Sequence, residues 1–166
     1  NLDYPFTYQN DGAFGGIQRL IEGWIHDNPR SGYPFGSSMA DYPTFDAGNF
    51  LVIKLLGTFS DKWHVVHNLY FLLGFPVTFI VSFCVLRAFH LGIPFAFAAT
   101  ILFNFLPFHF VRLPHLFYTW YFVVPIFYYL AVKFLILTQP EEGGDKNIFR
   151  KILYGLCLIS LGCFGV

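Results

Sequence analysis

Four apolar stretches, each near the length that crosses a bilayer, fill the chain from residue 64 onward and constrain it more than any other feature. A helix rises 1.5 Å per residue, so about 20 apolar residues span a hydrocarbon core of ~30 Å. The first stretch runs from about Val65 to Arg87, "VVHNLYFLLGFPVTFIVSFCVLR", with Pro76 inside it. The second is about Ile93 to Val111, "IPFAFAATILFNFLPFHFV". The third, about Leu116 to Leu137, carries aromatics at both ends, as an interfacial belt requires. The fourth begins near Ile152 and runs to the last residue. The spacing predicts an all-α membrane protein: a polytopic bundle of about four spans over residues 64–166, the last one truncated.

Composition agrees. Of the 166 residues, 12% are charged and 55% hydrophobic, whereas a soluble domain carries about 25% charge. Net charge is zero, which sets nucleic-acid binding aside. Cys84, Cys157 and Cys163 lie in apolar segments and read as small hydrophobes, not as a disulfide framework or a zinc site. No charged n-region opens the chain, so no signal peptide is expected in it. The start at Asn1 and the apolar end "LISLGCFGV" predict a segment of a longer protein.

Lys and Arg in short loops set orientation. Arg87 flanks the loop after the first span, and Lys133, Lys146, Arg150 and Lys151 flank the loop after the third. Those two loops are expected in the cytoplasm. "HFVRLPH" (residues 109–115) and the region 1–63 then face outward.

Region 1–63 is turn-rich but holds two helical patterns. In "AFGGIQRLIEGWIH", Phe14, Ile17, Leu20, Ile21, Trp24 and Ile25 recur at helical spacing, opposite Gln18, Arg19 and Glu22. Asn10 or Asp11 is positioned to cap this helix. "AGNFLVIKLLGTF" (Ala47 to Phe59) is too short to span and nearly all apolar, so it is expected in the membrane interface or against other helices. The region reads as an extracytoplasmic loop with two short interfacial helices.

Several polar residues are chemically suited to a site. Asp11, in "YQNDGAFGG", is placed to act as a general base if its surroundings raise its affinity for protons; a helix N-cap is the plainer role, and the two are compatible. Asp41 and Asp46 flank Pro43 and either cap turns or supply hard oxygen ligands for Mg²⁺ or Mn²⁺. His64 and His67 share a helical face without an evident third ligand, which favours packing over metal binding. Arg112 stays charged in any setting. At a span end it either snorkels to lipid phosphate or donates two parallel hydrogen bonds to a phosphate ligand, with His109 or His115 adding a donor.

Taken together, "YQNDGAFGGIQRLIEG", "YPTFDAGNFLVIKLLG" and "LPFHFVRLPHLFYTWYFVVPIF" resemble, in architecture more than in letters, the GT-C superfamily of integral-membrane glycosyltransferases. In that superfamily an outer loop carries an acidic residue near its start and two interfacial helices, and sugars are transferred from polyprenyl-phosphate donors at the outer leaflet. The resemblance implies a multi-pass protein of a bacterial inner membrane, with membrane lipids and a polyprenyl-phosphate-linked sugar as partners. It implies Asp11 as catalytic base, with Asp3 in "LDYPFT" as its rival, and Arg112 on the donor phosphate. A divalent cation is allowed but not required, and no fixed metal site is expected. A lipid or solute transporter and a non-catalytic scaffold are the competing readings. The transporter class draws on intramembrane ionisable residues and discontinuous helices.

Overall fold

A computed structural model describes residues 4, 6, 11–23, 27–28, 34–38, 47–112, 115–138 and 148–161. They are almost entirely helical. The order is α1 (Asp11–Glu22), β1 (Asp27–Asn28), β2 (Ser37–Ser38), α2 (Ala47–Gly57), α3 (Trp63–Ala88), α4 (Ile93–Asn104), α5 (Pro107–Val111), a 3-10 turn (Leu116–Thr119), α6 (Val123–Thr138) and α7 (Ile148–Leu161). The strands are a two-residue antiparallel ladder pairing Asp27 with Ser38 and Asn28 with Ser37.

Two stretches are long and apolar enough to cross a membrane: Trp63–Ala88, and Ile93–Val111 across α4 and α5. The core helix of a soluble protein is buried by its own chain, but here only 28% and 22% of the two stretches are buried. Ile80, Phe95, Leu102, Tyr128 and Ile159 all stand exposed, an apolar surface suited to lipid and costly in water. Length, apolarity and exposure of these two stretches are what a membrane-crossing helix would have.

Pro107 interrupts the second stretch, whose bounds are those expected. A proline disfavours helical geometry in the residue before it. Leu106 accordingly turns extended (φ −58°, ψ 140°), ending α4 and starting α5 with Pro107 in its first turn. The third expected span is shorter. Residues 116–119 form the 3-10 turn, so α6 holds 16 residues, fewer than a perpendicular crossing needs. The fourth helix begins at Ile148, earlier than its apolar run suggests, because "IFRK" joins it.

α3 is the axis of the fold: α1, α2, α4, α6 and the 3-10 turn all pack on it. The tightest core gathers at its N-terminal half, where Ile17 and Leu20 of α1, Phe50, Ile53 and Leu56 of α2, and Val66, Tyr70 and Phe71 of α3 close on Leu116 and Trp120. α1 buries the face its pattern predicts, and Gln18 donates to Glu22 across one turn of its polar face (2.7 Å). It ends at Glu22, so Trp24 and Ile25 fall outside the described residues. The Lys54 ammonium of α2 donates to the terminal carbonyls of Ile21 and Gly23, closing the electronegative end of α1. The two short helices therefore form a packed layer over α3. Leu51, Leu55 and Phe59 stay exposed along the outer side of that layer.

Trp120 locks the layer. Its indole N–H donates to the Tyr70 carbonyl (2.7 Å), and its ring stacks on Tyr70 at 4.5 Å. Gly74 makes room, since a Cβ there would sit 3.1 Å from the indole Cδ1 and Nε1. α3 closes with a 6→1 bond from Leu91 N–H to Leu86 carbonyl and a 5→2 bond from His90 N–H to Arg87 carbonyl. This is the Schellman pattern, with His90 at φ 62° where glycine is favoured.

Gly74→Ala forces Trp120 off Tyr70 and is expected to lower stability by about 1–3 kcal/mol, the usual cost of overpacking. His90→Gly removes the left-handed strain and is expected to gain about 1 kcal/mol. Thermal unfolding of both variants in detergent micelles checks the opposite signs.

Candidate functional site

Polar groups collect at the N-terminal end of α3. Asn68 is fully buried and uses its amide as a stretch of backbone would. Its Nδ2 donates to the Tyr4 carbonyl (2.7 Å), and its Oδ1 accepts from the Phe6 N–H (3.2 Å). The same Oδ1 accepts from His67 Nδ1 at 3.3 Å, which fixes the proton on that nitrogen. Phe6 meets the Phe71 ring edge-on at 5.9 Å. One turn away, the Tyr70 hydroxyl donates to Asn49 Oδ1 of α2 (2.7 Å). A buried polar side chain demands a partner, and these pairings tie the N-terminal stretch and α2 to α3.

Arg112 and His115 come together just beyond α5. The Arg112 guanidinium lies 5.2 Å from the Phe108 ring centroid and 5.9 Å from that of Tyr118, the range of a cation–π contact. The His115 ring lies 5.9 Å from Tyr118. All four side chains are solvent-facing. Two aromatic rings steady the guanidinium, whose planar fork of N–H donors can meet an oxyanion in two parallel hydrogen bonds. The arrangement is suited to an anion.

His109 is not part of that cluster. One helical turn separates it from Arg112, and it faces the opposite way: it is fully buried. Its ring stacks on Phe75 at 3.9 Å and meets the edges of Phe71 and Tyr121 at 5.2 and 5.1 Å. Neither ring nitrogen has a hydrogen-bond partner among the described residues.

The carboxylates fare differently. Asp11 is the first residue of α1, which agrees with a place at the helix start, but its side chain lies outside the described set. Asp3, Asp41 and Asp46 also lie outside the described residues. His67 is buried and His64 half-buried against Trp63, as packing residues. No group of three His, Cys, Asp or Glu side chains suited to a metal occurs among the described residues. Cys84 is exposed on α3, Cys157 is half-buried on α7, and Cys163 lies outside the described residues.

Sequence reasoning passed over Asn68, Asn49, Tyr121 and the hydroxyl-bearing residues of α3 and α4. A signal was present for the last group: Thr78 with Ser82 and Thr100 with Asn104 each stand four residues apart, one face of a helix. Comparison with protein families, with curated proteins and with solved structures finds no match to this chain.

Asn68→Leu keeps the volume but strands the Tyr4 carbonyl and the Phe6 N–H. The expected result is a loss of about 1–2 kcal/mol, with faster proteolytic cleavage ahead of α1 than in the native protein. Limited proteolysis followed by mass spectrometry reads both the rate and the place of the cut.

Proposed function

We propose that the protein is a multi-pass membrane glycosyltransferase that moves a sugar from a polyprenyl-phosphate donor to an acceptor at the outer face of a bacterial inner membrane. The observation that carries this reading is the Arg112 guanidinium framed by Phe108 and Tyr118, with His115 beside it. A planar, always-charged fork suits a phosphate at the membrane surface, and flanking aromatics suit a polyprenyl chain entering from the lipid side. The neighbourhood adds support. The N-terminal stretch is pinned to the first turns of α3 through Asn68 and Phe6, and Phe71 then leads to α5 through its contact with His109. Tyr4, Phe6 and α5 thus all contact the N-terminal half of α3.

In this reading Asp11 deprotonates the acceptor hydroxyl, with Asp3 as the rival base. Arg112 and His115 neutralise charge that grows on the phosphate as the anomeric C–O bond breaks. The hydroxyl oxygen attacks from the face opposite the phosphate, so the anomeric centre inverts. Asp41 and Asp46 serve in this reading as acceptor or cation contacts, and Mg²⁺ or Mn²⁺ is an optional aid. α1 and α2 rest on the outer surface, with Leu51, Leu55 and Phe59 in the interface.

A second reading, a lipid or solute transporter, draws on the interruption between α4 and α5. Transporters build their sites from discontinuous helices.

The test uses the full-length protein, a polyprenyl-phosphate sugar and reconstituted membranes. Asp11→Asn is expected to cut transfer by about 10²–10⁴-fold and Arg112→Ala by about 10²–10³-fold. Asp3→Asn separates the rival bases. Transfer at the native rate in both Asp11→Asn and Arg112→Ala overturns the assignment.

A further inference from the structure

The packed helices α3, α4 and α5 hold buried polar groups that the transferase reading leaves unused. Thr78 and Ser82 of α3, Thr100 and Asn104 of α4, and His109 of α5 are each 3% exposed or less. The hydroxyls of Thr78, Ser82 and Thr100, the Asn104 Oδ1 and both His109 nitrogens have no hydrogen-bond partner among the described residues. At the break between α4 and α5, the Tyr121 hydroxyl lies 3.2 Å from the Phe103 carbonyl and 3.1 Å from that of Asn104. It thus supplies a donor where Pro107 has interrupted the helical ladder. The Tyr121 ring meets the edges of Phe103 and His109, each at 5.1 Å, so one side chain links the broken backbone to the imidazole.

Non-helical backbone at membrane depth is tolerated where protein buries it or where it lines a watered cavity. Unmatched polar atoms in such a place are costly. Which guest matches them follows from their chemistry. Asn104 Oδ1 only accepts, the hydroxyls both donate and accept, and a neutral imidazole always presents one N–H and one lone pair. A cation would satisfy the acceptors alone and leave the His109 N–H facing it. No Asp or Glu stands on α3, α4 or α5 to offset its charge. A sugar or headgroup hydroxyl has the right chemistry but too large a body for groups so fully enclosed.

We propose that the junction of α3, α4 and α5 is a hydration site, in which ordered water bridges His109, Asn104 and Thr100 at the break and reaches Thr78 and Ser82 along α3. A buried water typically makes about three hydrogen bonds, and this set offers donors and acceptors in that mixture. The site gives His109 a partner for proton exchange inside an otherwise aromatic cage. It does not depend on the transferase reading and applies equally to a transporter.

Pulsed radiolytic hydroxyl-radical footprinting of the native protein in nanodiscs reads it directly, because bound water generates the radical in place. Tyr121, which is buried, and the half-buried Phe75 are expected to be oxidised, with the signal lost in Asn104→Leu/His109→Phe. Protection of both rings in the native protein overturns the proposal, and that result needs no variant to fold. Thermal unfolding of Thr100→Val gives a second reading. A hydrated hydroxyl predicts a lower midpoint in the variant, whereas a dry and unmatched one predicts a higher midpoint and sinks the idea. Sugar-transfer activity enters neither measurement, so failure of this proposal and failure of the transferase assignment are separately visible.

Discussion

Everything at the N-terminal end of α3 depends on one contact, the Trp120 indole seated against Gly74. The indole N–H is held by the Tyr70 carbonyl while the ring covers Tyr70. Tyr70 in turn donates to Asn49, which brings α2 into register. α2 carries Lys54, which closes the end of α1. A single small residue in a long apolar helix thereby sets the position of the 3-10 turn and both short helices. Close approach through glycine is the usual means of packing in lipid, where apolar side chains gain little by leaving one apolar medium for another.

The same logic explains why polar residues are the specific elements of this core. Leu and Phe fit many neighbours equally well inside a bilayer. Asn68, Asn49, Tyr70 and Trp120 each satisfy a particular partner, so they select one arrangement among many of similar apolar burial. The two ends of α3 differ accordingly. At the N-terminal end Asn68, Tyr70 and Trp120 make matched hydrogen bonds, and His67 Nε2 is the unmatched atom among the described residues there. The region of Thr78 and Ser82 lies among aromatic rings and unmatched hydroxyls.

Much of this was readable from residue order. The run from Val65 to Arg87 located α3 to within two residues, and the spacing of Ile17, Leu20 and Ile21 marked the buried face of α1. What escaped was set by partners distant in sequence. Nothing near Asn68 indicates that its amide reads Tyr4 and Phe6. Nothing near Tyr121 indicates a bond to residues on α4. The break at Leu106 was legible from Pro107 alone, but an unbroken hydropathy profile conceals it, because hydropathy counts side chains and the interruption lies in the backbone. At the candidate site, Arg112 and His115 both lie against Tyr118, a neighbour that residue order does not single out. The inward turn of His109 departs from the sequence reading, since three residues along a short helix reverse nothing by themselves and the cage of Phe71, Phe75 and Tyr121 decides the direction.

The Asn68 amide joins residues that lie 62 and 64 positions before it, and the Trp120 indole reaches back 50. A ribosome delivers residues in order, so α1 and α2 emerge before the α3 and Trp120 contacts that hold them. They can settle only after α3 has formed and the chain has returned to place Trp120. The outer layer therefore matures after the helices that follow it in sequence, though it is made before them. During that interval Ile17, Leu20, Phe50 and Ile53 stand uncovered, and this is when the nascent chain most needs shielding by chaperones.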